Sequence, residues 1–155
     1  MKTLKFLSLL LVSSLLFVGC LKKGLPEYEN WDLNLIQNVY VEYRYESDRM
    51  LNDEPVIAYQ RLNVTRTTDE VNNVINLTIE VPAVSSTFTA AIRNNVVQNN
   101  LWMYMDISTA ATVAPLNGSP KLGDPIDLTK EHTYKVTAAN GNERVWTIKV
   151  NSFQK

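Results

Sequence analysis

With 155 residues, 15 basic and 16 acidic side chains, the chain is nearly neutral and of a size that usually forms one domain. That balance excludes the basic stripe of a nucleic-acid-binding domain. A single cysteine and a single histidine exclude a disulfide framework and a zinc site of three or four nitrogen or sulfur ligands, so stability has to come from a packed core.

At the N-terminus, Lys2 and Lys5 precede an apolar run from Phe6 to Val18 interrupted only by Ser8, Ser13 and Ser14, and Gly19 follows. A charged start, a short apolar run and a small residue at the cut are the three parts of a secretory signal. The stretch Phe17-Val18-Gly19-Cys20 resembles the lipobox read by lipoprotein signal peptidase. The resemblance implies that residues 1–19 are removed and that Cys20 becomes the acylated first residue. The competing readings are a plain secretory signal with Cys20 left as a free thiol, and a retained anchor. The apolar run is shorter than the roughly 20 residues that span hydrocarbon, and an odd cysteine in a secreted protein invites intermolecular pairing. Cleavage would leave 155 minus 19, or 136, residues and move the formal charge from −1 to −3, because Lys2 and Lys5 are lost and no acid is.

From Leu21 to Trp31 the chain contains Gly24 and Pro26 and no periodicity. Residues 20–34 therefore read as the lipidated N-terminus and a flexible tether, and residues 35–155 as the domain. Lys22 and Lys23 either rest on anionic headgroups, each contributing on the order of 1 kcal/mol, or face solvent.

Period-two alternation follows. In Val39–Tyr45 the odd positions are apolar or aromatic while Glu42 and Arg44 point the other way, which predicts a strand with one wet face. Val56 to Thr65 keeps Val56, Ala58, Leu62 and Val64 on one parity, against Tyr59, Arg61, Asn63 and Thr65. The clearest strand is predicted over Val71–Val81, with Val71, Ile75, Leu77, Ile79 and Val81 sharing a face and Pro82 ending it. Ser85, Ser86 and Thr87 offer an N-cap for a helix of one or two turns beginning at Phe88, a crossover between sheets. A strand returns at Leu101–Ile107, and Pro115, Asn117-Gly118, Pro120, Gly123 and Pro125 then concentrate breakers into a long connection.

The C-terminal segments Thr133–Ala138 and Glu143–Val150 flank Asn140-Gly141, the favoured pair for a type I′ turn. In that hairpin Tyr134 and Val136 share the core face with Trp146, Ile148 and Val150. About seven short strands, at most a short helical crossover and Pro/Gly-rich turns predict an all-β fold, an immunoglobulin-like β-sandwich.

Several stretches together resemble a group of small Bacteroidetes lipoproteins. They are the lipobox with Cys20-Leu-Lys-Lys-Gly-Leu-Pro26, Val41-Glu-Tyr-Arg-Tyr45, Thr78-Ile-Glu-Val-Pro82, the run Ile107–Pro115, Asn117-Gly118, and the ending Tyr134–Gly141 with Trp146–Val150. The resemblance implies a bacterial immunoglobulin-like domain of unknown function. It also implies a genetic setting near outer-membrane glycan-uptake systems of the starch-utilisation type. Surface-exported lipoproteins of that phylum tend to carry acidic residues just after the cysteine, whereas Lys22 and Lys23 follow here. Display on the cell surface is the favoured reading, with the periplasmic face of the outer membrane left open.

Chemistry-bearing residues are sparse. His132, beside Glu131 at a strand start, reads as a surface residue with no nucleophile-elbow pattern to serve. Asp124 and Asp127 flank Pro125 in a loop, and Asp48, Asp53 and Glu54 lie in the first turn region. Such acids are solvated more often than they form a glycosidase pair across a cleft. Oxygens of the Gly123–Asp127 loop suit calcium in principle but lack EF-hand spacing, so no metal or cofactor is expected. The sequons at Asn63 and Asn76 carry little weight in such a bacterium.

The more informative set is aromatic. If Leu101, Met103, Met105 and Ile107 face the core, Trp102 and Tyr104 face away from it. Exposed rings on a flat sheet suit sugar stacking or a protein contact, and the bland alternative is burial within the sandwich. Trp31, Tyr40 and Tyr59 are candidates on the same grounds, and Trp146 belongs to the core. On these readings the protein is a lipid-anchored, non-enzymatic accessory in glycan capture or in assembly of a glycan-uptake complex at the outer membrane, with no nucleic-acid partner. The alternative is a structural or adhesive envelope component, fimbrial or surface-assembling, whose exposed strand edge accepts a strand from a neighbour.

Overall fold

The computed structural model describes residues 31–155, so the expected signal peptide, Cys20 and the first part of the expected tether lie outside the described residues. Within residues 31–155, nine strands and one short helix fold into two sheets packed on one core, a β-sandwich. The first strand, β1 (Ile36–Leu51), buries Ile36, Val39 and Val41 and half-buries Tyr43 and Tyr45. The parity shift between Ile36 and Val39 follows from a register irregularity against β5 in this stretch. A tight turn then leads into β2 (Glu54–Arg61). Asn52 and Asp53 both take positive φ (51° and 63°), the type I′ geometry whose twist matches a hairpin.

The segment predicted as one strand over Val56–Thr65 is two. Leu62, buried and donating its N–H to the Val41 carbonyl at 2.9 Å, separates β2 from β3 (Asn63–Asp69), which joins the other sheet. Alternation hides the switch. Val56, Ala58, Leu62 and Val64 keep one parity because both sheets present it to the same core, and no Gly or Pro marks the corner.

In β4 (Val74–Glu80), Ile75, Leu77 and Ile79 are fully buried, and Val81 just beyond is nearly so. Val71 does not belong to this face, contrary to the parity reading: it is 91% exposed at a turn. The Asp69 carboxylate accepts the N–H groups of Val71 (3.1 Å) and Asn72 (3.0 Å) and so bends the chain before the strand begins. After Pro82 the chain crosses to the other sheet through α1 (Ala90–Asn94). Its N-cap is Thr89 rather than Ser85, Ser86 or Thr87, while Ser85 Oγ accepts from Phe88 N at 3.0 Å and holds the Phe88 ring in the core.

The strand β5 (Leu101–Ile107) runs as predicted. The breaker-rich connection, however, contains β6 (Thr112–Leu116) and the two-residue β7 (Pro125–Ile126). Pro115 is tolerated because β6 is a sheet edge, where a missing N–H need not cost a ladder bond. The chain closes with β8 (His132–Thr137) and β9 (Glu143–Gln154). The sheet orders are β2-β1-β5-β7 and β3-β4-β9-β8-β6, with β4 and β9 parallel.

The closing hairpin forms, but not through a type I′ turn. Only Gly141 has positive φ (90°). Its N–H bonds the Ala138 carbonyl at 2.9 Å, while Ala138 N–H bonds the Asn142 carbonyl at 2.8 Å, giving a loop with Gly141 as its left-handed residue. Asn140 is held otherwise, donating its N–H to the Trp31 carbonyl (3.2 Å) and accepting Asn142 N–H on Oδ1 (2.9 Å). Type I′ geometry appears at Asn117-Gly118, with φ of 52° and 76°.

Tyr134 and Trp146 face each other across this hairpin in the middle of the core. Each has a polar handle: Tyr134 Oη donates to the Pro120 carbonyl (2.9 Å), and Trp146 Nε1 to the Asn34 carbonyl (2.9 Å). His132 is also buried, at 7% exposure, rather than on the surface, because its ring satisfies the Asp127 carbonyl through Nε2 at 2.8 Å.

Burial pushes the Tyr134 hydroxyl up to about 12. Below pH 10 both folded and unfolded chains carry it neutral. Between about 10 and about 12 only the unfolded chain ionises, so stability falls over that window. Tyr134→Phe should cost about 1–3 kcal/mol at neutral pH by stranding the Pro120 carbonyl, and should remove that alkaline component. Urea unfolding at pH 7 and across the alkaline range checks both, and an unchanged midpoint at pH 7 would contradict them.

Candidate functional site

The outer face of the four-stranded sheet is fixed by its inner one. Because Val39, Val41, Leu101 and Met103 are buried, their neighbours Tyr40, Glu42, Arg44, Trp102, Tyr104 and Asp106 emerge on the other side. The β1–β5 register sets Tyr40 opposite Tyr104 and Glu42 opposite Trp102. The β1–β2 register adds Arg61 opposite Glu42 and Tyr59 opposite Arg44. Four of the five aromatic candidates thus share one face. The fifth does not: Trp31, 55% exposed, gives its carbonyl to the Asn140 N–H at the β8–β9 turn.

Arg44 organises the middle of the face. Its guanidinium carbon lies 5.2 Å from the Trp102 ring centre and 5.9 Å from that of Tyr104, within cation–π range. Its Nε pairs with Glu42 Oε1 at 2.9 Å, and its Nη2 donates to the Tyr104 hydroxyl, which itself donates to Glu42 Oε1 at 3.2 Å. Glu42, only 8% exposed, is thereby compensated by a guanidinium and a phenol. Burial, and next the Glu42 charge, raise the Tyr104 hydroxyl above its ordinary value. Trp102 and Tyr104 are consequently neither core rings nor open platforms: they are half-buried and lie beneath Arg44.

The open rings are Tyr40, 38% exposed, and Tyr59, 59% exposed. Arg61 lies 5.6 Å from the Tyr40 ring centre and makes no ion pair among the described residues. The Tyr40 hydroxyl donates to Asp106 Oδ2 at 2.7 Å, and Asn38 Nδ2 donates to the same oxygen at 3.1 Å. Tyr40, Glu42, Tyr59, Arg61, Tyr104 and the Val41 backbone position line a shallow, open depression of about 200 Å³. That is below the common range for a drug-sized ligand and fits one ring or side chain of something larger lying across the sheet. Guanidinium donors, phenol hydroxyls and a carboxylate around exposed rings can hydrogen-bond a polyhydroxylated ligand while packing on its apolar face.

The other acidic candidates stay apart from this face. Asp127 is drawn down to about 2, first by the Thr129 hydroxyl at 2.5 Å and then by Lys130 at 3.0 Å. Asp124 is an exposed loop residue. Sequence reasoning misses Arg44, Glu42, Arg61, Asp106 and Asn38 as members of the site. A signal exists, since Glu42 and Arg44 share the outward parity of Tyr40, but only strand register brings Trp102 and Tyr104 beside them.

A two-sheet sandwich presenting a ring-and-guanidinium face defines a surface suited to binding. Residues 36–149 match the DUF5018-related family, and the chain belongs to that family. It is similar to the crystal structure of a Bacteroides fragilis protein predicted to be secreted, with 38% identity and a TM-score of 0.72 over 84% of this chain and 100% of that one. No curated protein matches the chain. No helix among the described residues is long and apolar enough to cross a membrane.

The Asp106 bond is the first cause of a raised Tyr40 hydroxyl, and the Tyr40 and Asn38 donors hold Asp106 below its usual range. Asp106→Asn should return Tyr40 toward its ordinary value near 10 and leave Tyr134 unmoved, as read by NMR titration of the tyrosine rings. A Tyr40 titration unchanged by the substitution would contradict this geometry.

Proposed function

We propose that the protein is a lipid-anchored, non-enzymatic binding module of the cell envelope that contacts glycan through the outer face of its four-stranded sheet, as an accessory to outer-membrane glycan uptake. The observation that carries this reading is the convergence of Tyr40, Tyr59 and Tyr104 with Glu42 and Arg61 around one shallow depression, with Trp102 and Arg44 beside it on the same face. Its openness suits a chain laid across a surface better than a reaction sealed from water, and Glu42, Arg44 and Tyr104 already satisfy one another. The lipobox-like Phe17–Cys20 stretch supports attachment through Cys20, and the likeness to a Bacteroides fragilis protein predicted to be secreted supports an extracytoplasmic location. Display on the exterior is favoured, with the periplasmic face as the other possibility.

A second reading, a structural or adhesive role through protein contact, has its own support in the exposed apolar side chains Ile57 and Tyr59 on an edge strand.

The test is a glycan array and calorimetry with the detergent-solubilised protein, whose membrane attachment should be lost in a Cys20→Ser variant. Tyr40→Ala and Tyr59→Ala should each weaken glycan binding about tenfold, or about 1.4 kcal/mol, with thermal stability nearly unchanged because both rings are exposed. No binding to any glycan, together with tight binding to a surface protein, would favour the second reading and sink the first.

A further inference from the structure

The strand β2 is one edge of its sheet, and its free side is unusually open to pairing. Leu62 N–H bonds the Val41 carbonyl at 2.9 Å and continues the register in which Tyr43 faces Gln60 and Tyr45 faces Ala58. In an antiparallel ladder the bonded pairs alternate with unbonded ones. The backbone groups of Ile57, Tyr59 and Arg61 therefore point away from β1, toward the free edge. Among the described residues, the bond made to these outward groups is that from Gln60 Nε2 to the Arg61 carbonyl, 2.9 Å. Val56–Gln60 contains no charge, and Ile57 and Tyr59 are each 59% exposed.

The strands at the other ends of the two sheets are blunted. The strand β7 has two residues, β6 contains Pro115, and β3 is almost entirely polar. An open, apolar edge of this length is a template for another strand.

We propose that β2 pairs antiparallel with β2 of a second copy of this chain, centred on Ala58 and joining the two four-stranded sheets into one. The edge is complementary to itself in that register. Ile57 meets Tyr59 of the second copy, and Tyr59 meets its Ile57, so each pair matches an aliphatic with an aromatic side chain and exchanges N–H and carbonyl bonds. Pro55 meets Arg61 of the second copy. Pro55 has no N–H to give, and the Arg61 carbonyl that would have accepted it is the one Gln60 already occupies. No like charges are opposed. The outer-face row runs Glu46, Ile57, then Tyr59 and Arg44 of the second copy, with opposite charges at its ends.

Opposed residues in an antiparallel pair point to the same face, so both depressions would lie on one continuous surface, available to two parts of one long ligand. The pairing itself does not depend on the nature of that ligand.

Ala58 would face its own counterpart as an unbonded pair with Cα atoms about 4.5 Å apart, inside the range a disulfide bridges. Gln60 would lie opposite Val56, about four residues from its own counterpart and beyond that range. The full chain carrying Ala58→Cys, expressed in a host that exports it and oxidised in intact cells, should run as a dimer on a non-reducing gel. Gln60→Cys should not. Adding Ile57→Pro, which removes an outward N–H and leaves the β1–β2 ladder intact, should abolish the Ala58→Cys dimer while preserving the near-ultraviolet circular dichroism of the purified protein. Equal crosslinking of Ala58→Cys and Gln60→Cys, no dimer with either, or a dimer that survives Ile57→Pro in a folded protein would each overturn the proposal.

Discussion

The two faces of a β-strand cannot be set independently, and this coupling governs the molecule. Once Val39 and Val41 of β1 and Leu101 and Met103 of β5 enter the core, every intervening side chain is committed to the opposite surface. The hydrophobic effect acts on one set of residues and thereby arrays the other. A one-residue slip of β1 would turn Glu42 and Arg44 inward to the apolar core and the valines outward, so the register that builds the core also protects the site. The outer face is therefore rigid in its spacing, although its own groups contribute little to holding the sheets together.

The second sheet supplies the anchorage. Its parallel pairing of β4 with β9 brings the end of the chain alongside its middle, and Val81 N–H closes on the Gln154 carbonyl at 2.8 Å. Tyr134 and Trp146 fill the centre, and their polar ends pin two irregular segments, at Pro120 and at Asn34. The approach to β1 is fastened again by Ser108, whose Oγ accepts Leu35 N–H at 2.9 Å and whose N–H bonds the Leu35 carbonyl at 3.0 Å. Buried polar groups thus position the loops, while apolar burial supplies most of the driving force.

Much of this architecture is legible as alternation. The strands β1, β4, β5, β8 and β9 can be read from parity because each has one core face, and Leu101–Ile107 is placed to the residue. What parity cannot show is which sheet a strand joins, so the corner at Leu62 passes unseen. Nor does it resolve local hydrogen bonding, as at Asp69, which turns the chain before Val71 can enter β4, or at Asn140, whose bonds keep it out of the left-handed region. The site is half legible for the same reason. The outward parity of Tyr40, Trp102 and Tyr104 is visible, but the placing of Arg44 over two rings requires the β1–β5 register, which sets Glu42 opposite Trp102 and so brings Arg44 within hydrogen-bond reach of Tyr104, 60 positions away. His132 misleads because a strand-start histidine beside a glutamate reads as exposed until its carbonyl partner at Asp127 is known.

If the outer face of the four-stranded sheet is where this protein meets its partner in the envelope, that face should be covered in the cell and bare in isolation. Hydroxyl-radical footprinting of the protein in intact cells and after purification measures this directly, whatever the partner is. Tyr40 and Tyr59 should lose reactivity in the envelope, while the exposed Trp31, on a different part of the surface, keeps its own. Equal reactivity of Tyr40 and Tyr59 in both settings, with protection concentrated around Trp31 and the β8–β9 turn instead, would contradict a binding role for this face.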